Sequence, residues 1–163
     1  KMVSACPEFK KLRGHIDVKM VDEGLRIDLV ESQQSMFFDS ASAKIKPQTR
    51  ALLKKIASEL AVLPNKVILE GHTDARPLAR GDGYTNWELS ADRANQARQV
   101  MEGAGLADSK IAQVRGYADT QPRNPADPNS YTNRRVSIVV VLNNVLQREN
   151  LSSSGFQGTS AVK

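Results

Sequence analysis

The chain has 163 residues, of which 40% are hydrophobic and 25% charged, a balance that suits one globular domain around a single core with some length to spare. Only 5% of residues are aromatic, so the core has to be mostly aliphatic, and a net charge of +5 draws the chain toward polyanions without choosing among nucleic acid, anionic membrane, acidic cell wall or plain solvent. The single cysteine, Cys6, excludes an internal disulfide. No window is apolar enough to span a membrane, and no signal peptide opens at Lys1.

Residues 1–15 are basic and irregular and read as a linker or short helix before a domain over 16–143. Ile16, Val18 and Met20 alternate with Asp17 and Lys19, and Leu25, Ile27 and Leu29 alternate with Arg26 and Asp28. Two such runs around Asp22-Glu23-Gly24 predict a β-hairpin in which Gly24 takes a positive φ. Phe37-Phe38-Asp39-Ser40 then leads into a polar turn.

A helix is expected from Pro47, where a proline loses no hydrogen bond. Leu52, Leu53, Ile56, Ala57 and Leu60 form its buried stripe, and Pro64-Asn65 ends it. Val67-Ile68-Leu69 is a short buried strand stopping at Gly71, followed by a polar loop from His72 to Tyr84. Thr85 and Glu88 have capping-box spacing for a second helix from Asn86, with Ala94, Ala97, Met101 and Ala104 inward and Gly103 and Gly105 at its end. Ile111 to Tyr117 reads as a strand, and 124–130 as a loop. Val136, Ile138, Val140 and Leu142 share one face of a final strand, Arg135 to Leu142, whose continuous apolarity predicts a central position covered on both faces. Residues 144–163 read as a flexible tail. The order β-β-α-β-α-β-loop-β predicts an α/β (α+β) fold, a mixed β-sheet with two main helices packed on one face.

Several chemistries lack their residues. His15 and His72 are far apart, no metal-ligand spacing occurs, and no metal is expected. No nucleophile elbow or phosphate loop is present. His72 with Asp74 could be two thirds of a hydrolase triad, but a histidine beside a strand-ending glycine is more often a satisfied structural residue. Basic residues are dispersed and not interleaved with aromatics, so a nucleic-acid partner is not expected. What remains is Asp74, just past a strand end, and Asn86, Leu89 and Arg93 on one flank of the following helix. An acid and a guanidinium on one rim suit a zwitterion, since the acid takes an ammonium and the arginine fork a carboxylate. Surface ion pairs are common, and spacing alone favours a structural salt bridge between the same two residues over a ligand site.

At these positions the chain resembles the OmpA-like peptidoglycan-binding family. Thr73-Asp74, Asn86-x-x-Leu89-Ser90-x-x-Arg93-Ala94 and Asn133-Arg134-Arg135-Val136 occur in family order, and the likeness runs from about Leu25 to Leu142. Glu70-Gly71-His72-Thr73-Asp74, the run from Asn86 to Asn95 and the long loop before it resemble the flagellar-motor stator branch, as does Ser35-Met36-Phe37, whereas Phe38-Asp39-Ser40 departs from that branch's wording.

The resemblance implies a non-catalytic module that binds peptidoglycan and needs no cofactor. It implies that Asp74 and Arg93 contact the diaminopimelate of the stem peptide, that Asn86 and Leu89 line the pocket with Thr73 beside them, and that Arg135 supports it. It further implies the periplasmic domain of a single-pass inner-membrane protein, a homodimer, and a MotA-like channel subunit as partner. Alternatives are an outer-membrane anchor of the Pal or OmpA type, or a cell-wall amidase or peptidase using His72 and Asp74.

Overall fold

The computed structural model describes residues 12–142. Of the expected N-terminal linker it covers a single 3-10 turn over 12–15, and the expected tail lies outside the described residues. Five strands and two helices follow as β1 (Ile16–Val21), β2 (Gly24–Val30), α1 (Pro47–Ala61), β3 (Val67–His72), α2 (Asn86–Gly103), β4 (Ile111–Gly116) and β5 (Arg135–Val141). The sheet order is β1-β2-β5-β3-β4, with β3 and β4 parallel and all other neighbours antiparallel. It is the mixed sheet with two helices that the alternation of elements predicts, and β5 holds the centre.

The hairpin turns at Asp22-Glu23, with Val21 opposite Gly24. Gly24 has a φ of +152°, and a Cβ there would stand 2.0 Å from the Val140 carbonyl oxygen. Glycine is required because the neighbouring strand's backbone occupies the side-chain position. All five apolar residues expected along α1 are buried. The C-terminal carbonyls of α1 are met by a lysine from elsewhere in the chain. Lys110 Nζ donates to the carbonyls of Leu60 (3.0 Å), Ala61 (2.8 Å) and Leu63, supplying partners the helix cannot provide for itself.

One core joins both helices to one face of the sheet. Leu52, Leu53, Ala94, Ala97 and Met101 pack on Ile27, Leu29, Val67, Leu69, Val136 and Ile138. Leu142 departs from its expected place: β5 ends at Val141, and Leu142 is 38% exposed, its N–H bonded to the Glu23 carbonyl.

The other face is covered differently from a second helical layer. The register aligns Asp17, Asp28, Ser137, Glu70 and Arg115 into one polar rung across all five strands. Ser137 hydrogen-bonds Asp28, Arg26 and Arg115 both bond Glu70, and Arg123 spans Asp17 and Asp28. Asp28, Glu70 and Ser137 are at most 1% exposed, so the arginines must both cover and neutralise the buried carboxylates. Burial pushes the Glu70 pKa up, but His72, Arg26 and Arg115 outweigh it and hold the carboxyl below its usual range. Ile68, Val139 and Val141 add a small apolar cluster of their own.

Candidate functional site

The site begins where β3 runs out under the first turns of α2. Thr85 and Glu88 form the expected capping box, Glu88 accepting from the Thr85 N–H at 2.7 Å and the Thr85 hydroxyl from the Trp87 N–H at 3.3 Å. Two glycines let the helix sit low on the sheet. A Cβ on Gly71 would lie 1.8 Å from the Ser90 carbonyl oxygen, and one on Gly116 would lie 2.7 Å from the Ala91 nitrogen. Ser90 is fully buried and uses its hydroxyl twice, donating to the Trp87 carbonyl and accepting from the Ala118 N–H. The helix face carrying Asn86, Leu89 and Arg93 is thereby fixed against Thr73-Asp74.

Those five residues line a cleft of about 200 Å³, together with Arg134, the turn at Ser40-Ala41 and the loop from Arg76 to Ala79. Asp74 is 8% exposed. Its Oδ1 accepts from the Arg76 N–H at 3.0 Å, which leaves Oδ2 to face the cleft's cations. Asn86 ties the helix to the loop, its Nδ2 donating to the carbonyls of Arg76 (2.9 Å) and Asp74 (3.3 Å). Thr73 donates its backbone N–H to the Ala118 carbonyl and its hydroxyl to the Asp74 carbonyl, so it braces the strand end. Leu89 is 3% exposed and gives the cleft an apolar lining.

Arg93 is buried and lines the same cleft. Its Nε donates to the Ser42 carbonyl at 2.8 Å and Nη2 to the Asp39 carbonyl at 3.4 Å. Its guanidinium lies 5.0 Å from the centre of the Phe38 ring. The Phe38 turn is in turn held by Glu31, whose carboxylate accepts from the N–H groups of Phe37 and Phe38. Burial draws the Arg93 pKa down to about 10, against the opposing pull of Glu31. It therefore stays charged at neutral pH.

The salt bridge open to Asp74 and Arg93 does not form. Asp74 pairs with Arg134, with Nε 3.5 Å from Oδ2. Arg135, the arginine expected to support the pocket, is on the other face of the sheet opposite His72. Its guanidinium donates to the carbonyls of Gln121 (3.0 Å) and Asn133 (3.4 Å), so it braces the 121–133 loop and does not line the cleft. The physical reason is pleat alternation, which sends neighbouring residues of a strand to opposite faces. With Val136 and Ile138 on the helix side, Arg134 belongs to that side too. The signal was present in Asn133-Arg134-Arg135-Val136, and strand parity picks the first arginine.

His72 and Asp74 do not assemble as an acid–histidine pair. His72 is 1% exposed on the far face, stacked on Tyr117 with ring centroids 5.0 Å apart. It is not the satisfied residue expected. Neither ring nitrogen has a hydrogen-bond partner, Glu70 Oε2 standing 3.5 Å away. Burial lowers the His72 pKa, Glu70 opposes this and Arg135 reinforces it. Among the described residues no cluster of His, Cys, Asp and Glu could hold a metal, and no helix is long and apolar enough to cross a membrane.

Comparison with known proteins agrees with this architecture. The chain is 40% identical over 142 residues to Motility protein B of Escherichia coli K12, an alignment covering 86% of this chain and 46% of that protein. It is 35% identical to the outer-membrane lipoprotein YfiB of Pseudomonas aeruginosa, covering 73% and 68% respectively. The chain thus spans about half the length of the motility protein it matches. In fold it is similar to the periplasmic domain of Helicobacter pylori MotB, with a TM-score of 0.69 at 23% identity over 91% of this chain and 93% of that one. It is also similar to the cell wall anchor of the T6SS from Pseudomonas aeruginosa, with a TM-score of 0.66 at 23% identity over 88% and 100%. Residues 37–135, which carry every wall of the cleft, match the OmpA family, and the chain belongs to it.

Proposed function

We propose that the chain is a non-catalytic peptidoglycan-binding domain that anchors a flagellar motor stator to the cell wall by taking the diaminopimelate of a stem peptide into this cleft. The observation that carries the reading is the cleft's chemistry: the Asp74 carboxylate, the Arg93 guanidinium and the apolar Leu89 side chain line one cleft, and the acid and the arginine do not pair with each other. Diaminopimelate ends in an ammonium and a carboxylate on one carbon. Asp74 accepts from the ammonium, and the N–H groups of Arg93 not spent on Ser42 and Asp39 donate to the carboxylate.

Identity to Motility protein B favours a stator over an outer-membrane anchor of the Pal or OmpA type. On that reading the chain is the periplasmic part of a single-pass inner-membrane protein. A MotA-like channel subunit engages its membrane segment, and a homodimer presents two clefts to the wall. Each charge-assisted hydrogen bond contributes about 1.5–3 kcal/mol, so one cleft binds modestly, and two gain through effective concentration.

Asp74→Asn tests the site with little disturbance, because the amide oxygen can still accept from the Arg76 N–H. The variant should stay folded, with its melting temperature lowered by no more than the loss of the Arg134 pair, lose co-sedimentation with purified sacculi, and bind a diaminopimelate stem peptide at least about tenfold more weakly. Unchanged co-sedimentation would remove Asp74 from the site. Release of muropeptides by the parent protein would overturn the non-catalytic reading.

A further inference from the structure

The outer face of α1 carries charge that the fold does not use. From Asp39 to Ala61 five cations, Lys44, Lys46, Arg50, Lys54 and Lys55, stand against two acids, Asp39 and Glu59. Lys44 lies 4.0 Å from Asp39, and Lys55 pairs with Glu59 at 3.0 Å. Among the described residues none of the other three, Lys46, Arg50 and Lys54, has a side-chain hydrogen bond or ion pair. Glu31, which holds the neighbouring turn, does not neutralise them. It is 3% exposed, accepts from the Phe37 and Phe38 N–H groups, and its charge is set against Arg93.

This arrangement works against the helix. Lys46, Arg50 and Lys54 follow at four-residue spacing, with the Arg50 N–H bonded to the Lys46 carbonyl at 3.0 Å, so they share one row. Like charges at that spacing destabilise a helix. Lys46 is the cap residue and Arg50 lies in the first turn, the positive end of the helix, and no acidic residue of that turn offsets them. Such a row gains from anions supplied outside the chain.

Its position and surroundings select the anion. The row begins beside the cleft: the Lys46 N–H and the Thr49 hydroxyl both donate to the Phe37 carbonyl, and the turn after Phe37 supplies Ser40-Ala41 to the cleft wall. The exposed neighbours on α1 include Gln48, Ala51 and Ser58, while its leucines and isoleucine are buried, so the helix offers no large apolar side chain to a bilayer. A second copy of the chain would meet the row with like charge.

We infer that Lys46, Arg50 and Lys54 form a second wall-contacting surface, which takes carboxylates of stem peptides neighbouring the one held in the cleft. This rests on the wall-binding reading and adds to it a contact made by intact peptidoglycan but not by a single stem peptide.

The triple variant Lys46→Gln, Arg50→Gln, Lys54→Gln separates the row from the cleft. Its melting temperature should equal or exceed the parent's, because like-charge repulsion is relieved. Its affinity for purified sacculi in about 50 mM salt should be about tenfold weaker than the parent's, and the gap should close to within about twofold in about 0.5 M salt, where exposed charges are screened. Calorimetric titration with the soluble tripeptide L-Ala-γ-D-Glu-diaminopimelate should give the same affinity for variant and parent, whereas Asp74→Asn should weaken both ligands. Equal binding of sacculi by variant and parent at low salt overturns the inference and leaves the wall-binding reading standing. A matching fall in tripeptide affinity also overturns it, since the row would then act through the cleft. Vesicles of phosphatidylglycerol provide the remaining arm: if the parent binds them as tightly as sacculi and the variant does not, the row serves a membrane and the inference fails. Binding of neither sacculi nor tripeptide by the parent sinks the wall-binding reading and the inference with it.

Discussion

Gly71 lies directly beneath the Ser90 carbonyl, so closely that a methyl group on the glycine would overlap it at 1.8 Å. The contact is backbone against β-carbon, and no side-chain rotation relieves it. Gly71→Ala must therefore push the start of α2 off the sheet, costing about 2–3 kcal/mol or more. Because Asn86, Leu89 and Arg93 ride on that helix, stem-peptide binding should fall along with stability. Urea denaturation and peptide titration on the same preparation would show both.

Lys110 offers the opposite separation. It caps α1 at the carbonyls of Leu60, Ala61 and Leu63, and it is not among the residues that line the cleft. Lys110→Met keeps the aliphatic stem and removes the donors, leaving several helix-end carbonyls to water. We expect a loss of about 1–3 kcal/mol in denaturant titration, with peptide affinity of the folded protein unchanged.

The two variants also mark what the sequence can and cannot reveal. The stripe Leu52, Leu53, Ile56, Ala57 and Leu60, the Thr85/Glu88 capping box and the Gly24 hairpin are local, and each was legible because neighbours in sequence determine it. Asp74, Asn86, Leu89 and Arg93 were legible through motif spacing, and the structure brings them to one cleft. The Arg134–Asp74 pair joins residues 60 positions apart by an ion pair no spacing rule anticipates, although strand parity would have preferred Arg134 to Arg135. The polar rung escaped for a similar reason: Asp28, Glu70 and Arg115 look like ordinary solvent-facing charges until the register aligns them. Alternation reports that a face is polar, and cannot report that it is buried.

His72 ties that buried face to acid stability. Its folded-state pKa lies below the ordinary value because burial disfavours the imidazolium, with Arg135 and Arg26 adding repulsion and Glu70 only partly offsetting it. Arg115 reaches the same carboxylate from β4, and the Tyr117 ring covers one side of the imidazole. The unfolded chain thus binds the proton more readily than the folded one. Stability is complete above about pH 6.5 and is lost as pH falls from there through the folded-state pKa. Melting temperature should drop between about pH 7.5 and pH 5 in the parent, and drop less in His72→Phe, which keeps the stack on Tyr117 and removes two unpartnered nitrogens. An identical slope in both proteins would move the proton uptake to another group. The Glu70 contribution is distinct, since a lowered carboxyl pKa is felt only at more acid pH.

Arg93 separates a charge from a shape. A lysine there would keep the positive charge, but a single ammonium cannot reproduce the fork that reaches Ser42 and Asp39 while staying over the Phe38 ring. The Ser40-Ala41 wall depends on those bonds, and Ala41 holds a φ of +50°, a conformation an alanine adopts only when its surroundings impose it. Arg93→Lys should therefore cost about 1–3 kcal/mol of stability. It should also weaken stem-peptide binding at least tenfold, or about 1.4 kcal/mol. Hydrogen exchange distinguishes the causes: if the wall is what fails, amides around Ser42 and Lys44 lose protection in the variant while those of β3 and β5 do not. If protection is unchanged and binding still falls, the lost fork was donating to the ligand directly, and the wall at Ser40-Ala41 stands without it.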